Sequence, residues 1–144
     1  MFQRILLAWD GSELALSAFD HAIDLARRHD AELLALSIAH SPAHAETSAD
    51  REDSERAAHH YLEQTFSEVR DRAERAGVSV EHVILEGSNP TRSLADYAHE
   101  HGFDLIVVGH HHARRAGRLL LRGVAYELIE ATAVPVLVIS DQAS

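Results

Sequence analysis

The sequence predicts one doubly wound α/β domain over residues 1–144, a five-stranded parallel sheet flanked by four helices. Compact aliphatic runs alternate with amphipathic stretches in the order β-α-β-α-β-α-β-α-β. Those runs are mostly continuous rather than half polar, as strands covered on both faces require. A chain of 144 residues is also the usual size of one domain with its own core.

Each element has its own signal. "RILLAW" (Arg4 to Trp9) is an apolar run closed by the turn residues "DGS", as expected of a buried strand. "SELALSAFDHAIDLARRH" follows as a helix, with Ser12 as its cap and Leu16, Phe19, Ile23 and Ala26 on one stripe. "AELLALSIA" (Ala31 to Ala39) is the second strand, and the aperiodic stretch His40 to Arg51 is expected as a loop. "EDSERAAHHYLEQTFSEVRDRAERAG" predicts one long helix with Ala58, Leu62, Phe66, Val69 and Ala73 inward and Gly77 as its stop. "VSVEHVIL" (Val78 to Leu85) is the third strand. Asn89 then caps a helix that has Pro90 in its first position and ends near Gly102. "FDLIVVG", "VAYELIEAT" and "VPVLVIS" supply the fourth strand, the last helix and the fifth strand.

Composition excludes several function classes. The net charge is -10, with 23 acidic against 13 basic side chains, a field that repels nucleic acid. No apolar run approaches the ~20 residues needed to span a bilayer, and the N-terminal apolar patch is too short for a signal peptide. Without cysteine there is neither a disulfide framework nor thiol chemistry. The expected location is the cytoplasm, with no membrane and no nucleic-acid partner. Twelve histidines would offset much of the charge below about pH 6.5.

In this architecture ligands bind beyond the carboxyl ends of the strands at the switch point. Two segments fall there, "WDGSE" after the first strand and "GHHHARRAG" after the fourth. Asp10 has two readings, a ligand contact or an Asx turn closing on the Gly11-Ser12 backbone. His110, His111 and His112 suggest imidazole ligation, with His99 and His101 as further donors. Adjacent loop residues seldom converge on one ion, however, so no metal site is assigned. Arg114, Arg115, Arg118 and Arg122 form a basic stripe suited to phosphate or to pairing with the abundant acids. His59, His60 and the other scattered histidines are expected at the surface. Asp96 and Glu100 share a helix face, as solvated pairs commonly do. There is no G-x-S-x-G elbow, H-E-x-x-H pair or G-x4-G-K-S/T loop, so no enzyme is expected.

The front segment "ILLAWDGSELALSAFDHAIDLARRHDAELLALSI", with "GFDLIVVGHHH" and "AVPVLVIS" in order behind it, resembles the universal stress protein family over almost the whole chain. The resemblance implies the adenine nucleotide alpha hydrolase-like fold, a role in stress response, and a homodimer through the last strand (Val134, Val136, Val138). A proline at Leu137 is expected to separate that pair. ATP-binding members carry G-x2-G-x9-G-S/T after the fourth strand, whose glycines admit phosphates to backbone N–H groups. Gly109 matches the first position, but His112, Arg122 and Gly123 stand at the other three. Asp10, Ile38 and Val108 match positions around the adenosine, and "GHH" resembles a subgroup without ATP binding. With His111 these complete the candidate binding residues. The expectation is a non-catalytic, dimeric stress-response module with a degenerate nucleotide pocket and no certain cofactor. Two alternatives stand beside it. In one, ATP or another adenosine nucleotide is held with arginine and histidine replacing the glycine cradle. In the other, the protein is metal-regulated through the histidine triplet.

Overall fold

The computed structural model describes residues 1–39, 47–110 and 123–140. Five strands, β1 (Arg4–Ala8), β2 (Glu32–Ala39), β3 (Val80–Glu86), β4 (Leu105–His110) and β5 (Val136–Ser140), form one sheet in the order β3-β2-β1-β4-β5. Every neighbouring pair is parallel. The helices are α1 (Glu13–His29), α2 (Ser48–Val69), α3 (Asp71–Arg75), α4 (Pro90–Glu100) and α5 (Gly123–Ala131). Among the described residues no helix is long and apolar enough to cross a membrane.

Strand alternation divides the core in two. Ile5 and Leu7 of β1 join Phe19, Ala22 and Phe66 in a layer under α1 and α2. Leu6, from the same strand, joins Leu94, Ala98 and Leu128 under α4 and α5. Successive side chains of a strand point to opposite faces, so a run with no polar position is what a doubly covered strand needs. At roughly 25 cal/mol per Å² of apolar surface removed from water, these two layers are the main source of stability.

The predicted helix caps are present. Ser12 Oγ accepts from the Ala15 N–H at 3.1 Å, and Asn89 Oδ1 accepts from the Arg92 N–H at 3.1 Å. Gly77, at φ +77°, ends α3 while the Val78 N–H reaches back to the Ala73 carbonyl at 2.8 Å. Only a residue without Cβ takes that left-handed angle at little cost.

Three expectations are corrected. The loop assigned to His40–Arg51 is helical from Ser48, because Thr47 Oγ1 accepts from the Asp50 N–H at 3.0 Å and starts α2. Thr47, Ala49, Asp50 and Arg51 are exposed there, so no apolar period announces the turn. The single long helix is divided at Arg70, where the Ala73 N–H takes the Arg70 carbonyl three residues back at 3.1 Å. The last strand begins at Val136, not Val134, whose N–H is taken by Thr132 Oγ1 at 3.1 Å.

Terminal strand β5 is packed on both faces. Val134, Val136 and Val138 lie on the α4–α5 layer, whereas Leu137 and Ile139 lie on the α1–α2 layer. The predicted contact residues therefore point inward, and a partner would meet the backbone edge. In the parallel ladder Ile106 faces Val136, and its N–H donates to the Pro135 carbonyl at 2.9 Å. The alternating pattern then turns the Leu137 N–H toward β4 and the Val138 N–H toward the open edge. Proline at Leu137 would break the β4 pairing, so the edge test belongs at Val138.

Candidate functional site at the carboxyl ends of β1 and β4

The chain leaves β1 under tight local control. The Trp9 N–H donates to the Leu36 carbonyl at 2.9 Å, which keeps the backbone on the sheet for one residue past the strand. Asp10 Oδ1 then accepts from the Ser12 N–H at 2.9 Å, closing the Asx turn that the sequence allowed. Gly11, at φ +83°, carries the reversal. The Tyr61 ring of α2 fills the space where a Cβ would stand, at 2.9 Å. Turn chemistry and close approach together make Asp10-Gly11-Ser12 a specified structure.

At the end of β4, Gly109 faces the first turn of α1. A Cβ there would lie 2.8 Å from Leu14 Cγ and 3.1 Å from the Leu14 carbonyl oxygen. Carbon atoms in contact stand about 3.5–4.0 Å apart, so α1 seats itself on β4 only because Gly109 has no side chain. This packing explains the glycine without reference to a phosphate.

Between these two strand ends opens a cleft of about 350 Å³. Ile38 and Val108 form its apolar walls, with Leu36 behind them. Pro90 and Leu94 of α4 and Val124 of α5 close one side. Asp10 and His110 are the ionisable side chains among the described lining residues. The His110 ring meets Tyr126 edge-on at 5.8 Å. Apolar walls with a few convergent polar groups are the usual make-up of a small-molecule site.

Four of the predicted residues, Asp10, Ile38, Val108 and Gly109, converge on this cleft. Gly123 opens α5, one residue before the lining Val124. His111, His112 and Arg122, with Arg114, Arg115 and Arg118, lie outside the described residues. His99 and His101, at the end of α4, stand at the end of the sheet opposite His110. The Arg4 guanidinium, at the start of β1, donates to the His101 carbonyl, whereas His110 ends β4 at the opposite edge. Among the described residues no group of three or more histidine or carboxylate side chains is placed to hold a metal. Pro90, Leu94 and Val124 were missed. Pro90 had a usable signal, since a helix starting directly after β3 must begin at the same edge of the sheet.

The strand order reverses between β1 and β4, and the cleft lies there, outside the carboxyl ends. The molecule is therefore a doubly wound α/β domain with its cleft at the switch point, the place where such sheets bind ligands. The model of the Universal stress protein family matches residues 1–140. The universal stress protein MJ0531 of Methanocaldococcus jannaschii is 31% identical over 144 residues, covering 96% of this chain and 82% of that one. The universal stress protein YxiE of Bacillus subtilis is 26% identical over 150 residues, covering 96% and 99%. A solved universal stress protein in complex with cAMP superposes with a TM-score of 0.75 at 26% identity, covering 96% of this chain and 97% of that one. This chain belongs to the universal stress protein family.

Proposed function

We propose that this protein is a non-catalytic, dimeric stress-response module whose switch-point cleft takes an adenosine nucleotide with few phosphates. The observation that carries the reading is the convergence of Asp10, Ile38, Val108 and Gly109 on one cleft. A similar solved protein is in complex with cAMP, which supports the choice of ligand. Ile38 and Val108 offer apolar faces to a base. Asp10 keeps one carboxylate oxygen beyond its turn bond for a sugar hydroxyl. His112 and Arg122 replace two glycines of the triphosphate signature, whose backbone N–H groups would otherwise admit the phosphate chain.

Calorimetry with cAMP, AMP and Mg-ATP on dialysed protein tests this directly. The expected order of affinity places the two monophosphates above ATP. Tighter ATP binding would reverse the assignment, and no heat with any of the three would remove the nucleotide. Sedimentation of the wild type against Val138→Pro tests the dimer. The variant is expected to halve the mass while keeping native circular dichroism, and an unchanged mass would place the interface elsewhere.

A further inference from the structure

A second cleft, of about 410 Å³, lies between α2 and β3. Its floor is Phe66, and His59, Glu63, Ser67, Arg70 and His82 surround it. His82 was expected among the surface histidines, yet it is half-buried and its ring lies 4.4 Å from that of Phe66. The Ser37 hydroxyl, 1% exposed, donates to the Trp9 carbonyl at 2.7 Å, so its one proton is committed. The 2.9 Å contact between His82 Nε2 and Ser37 Oγ therefore runs from Nε2–H, which fixes the ring as a wall of the cleft. Burial first, then the charges of Arg70 and His59, lower the His82 pKa from 6.5 to about 4, so that wall is uncharged at neutral pH.

The strand beside this cleft is an edge. β3 stands first in the sheet and pairs with β2 alone among the described residues. The Gly87 N–H donates to the Ala39 carbonyl of β2. By the alternation of a parallel ladder, Val83 and Leu85 also turn their backbone groups to β2, whereas Val80, His82 and Ile84 turn theirs outward. Arg70 agrees with that parity, because its guanidinium, at the end of α2, takes the Val80 carbonyl at 2.9 Å. An open edge can take an added strand, main-chain bonds giving affinity and flanking pockets selecting side chains.

Charge sets the direction of that strand and the place where it stops. The chain carries 23 acidic against 13 basic side chains, yet half-buried Arg70 has no carboxylate partner among the described residues. It is held in place, 5.2 Å from the Phe66 ring centroid. On the Val80 carbonyl it occupies the acceptor that a longer added strand would need, so that strand ends against His82. Toward the other end of β3, a hollow of about 550 Å³ shares His59 and Glu63 with the first cleft and adds Glu52, Glu55 and Glu86. Arg56 lines it too but is already paired with Asp53. The groove thus runs from an uncompensated cation to a group of carboxylates.

We propose that the β3 edge binds the carboxyl-terminal end of an extended peptide as an added antiparallel strand. The terminal residue faces His82 and donates its N–H to the His82 carbonyl. Its carboxylate accepts from the His82 N–H and from the Arg70 guanidinium. Residues that face each other across a ladder share a side of the sheet. An apolar terminal side chain therefore lies on the His82 side, and a basic one four residues earlier meets Glu86. A parallel strand would instead bring an ammonium group to Arg70.

The test is calorimetry on the wild-type protein with acetyl-Lys-Thr-Val-Thr-Leu, as the free acid and as the carboxyl-terminal amide. The acid is expected to bind about tenfold or more tighter than the amide. Arg70→Gln is expected to erase that difference while circular dichroism stays native. Hydrogen exchange on the wild type locates the strand: the acid peptide should slow the His82 and Ile84 amides and leave Val83 and Leu85 unchanged. Equal affinity of acid and amide, or no heat with the acid at about 1 mM, would overturn the proposal. Protection of other residues in place of His82 and Ile84 would overturn it as well. Protection of those two that rises with protein concentration in the absence of peptide would give the edge to a second copy of the chain, and the peptide site would fall.

Discussion

The two clefts of this domain are built on different principles. The switch-point cleft is shaped by backbone: two strand ends, an Asx turn and a glycine that lets α1 sit on β4. Its walls are apolar, and Asp10 and His110 are its described ionisable groups. The α2–β3 cleft is shaped by side chains, with two histidines, a glutamate and an arginine around one aromatic ring. A backbone-built site changes little when a single exposed side chain is replaced. A side-chain-built site changes its charge with pH. The fold thus holds a backbone-built region and a side-chain-built one, joined at Trp9 and Phe66.

Phe66→Ala is the most damaging way to break that comparison. Phe66 is fully buried, floors the outer cleft, and packs on Trp9, which lines the inner one. Truncation is expected to cost about 3–5 kcal/mol by chemical denaturation and to disturb both regions. Gly109→Ala should act on the inner region alone. Its Cβ would strike the Leu14 side chain and backbone, with an expected cost of about 1–3 kcal/mol and weaker nucleotide binding. Ser12→Ala removes the cap of α1 and is expected to cost about 1 kcal/mol, read as a lower denaturation midpoint.

His82→Gln is expected to have the smallest effect at neutral pH and to sharpen the comparison in acid. The folded His82 resists protonation until about pH 4, whereas the unfolded chain takes up its proton near 6.5. Between those values the unfolded state binds more protons, so stability is full above 6.5 and falls as pH drops toward 4. Denaturation midpoints across that window should slope in the wild type and flatten in the variant. Equal slopes would locate the acid sensitivity in another group.

Much of the fold was legible because burial on two faces leaves its mark on a strand. "RILLA" and "LIVV" can scarcely be anything but covered strands, and their order dictates the switch point. The inner cleft was legible for the same reason, since Asp10, Ile38, Val108 and Gly109 sit at strand ends. Helix α2 began earlier than expected because its opening turn is held by Thr47 and solvent rather than by apolar packing. The break at Arg70 has no residue signature, because the residue there keeps helical angles. The outer cleft was illegible. His82 and Ser37 are 45 residues apart, and the register that puts His82 on Phe66 and Ser37 belongs to the assembled sheet. Pattern along a chain shows which face a residue takes, not which neighbour it meets there.

Gly109 has a consequence for how such chains are compared. The first glycine of a nucleotide signature is here also the point where α1 rests on β4. A position with two independent reasons to stay glycine persists when one of them lapses. Its presence in a descendant therefore says that the helix still docks, and says nothing about whether a ligand is still bound. The later positions of the signature, occupied here by His112, Arg122 and Gly123, are where the loss or replacement of a ligand would first be written.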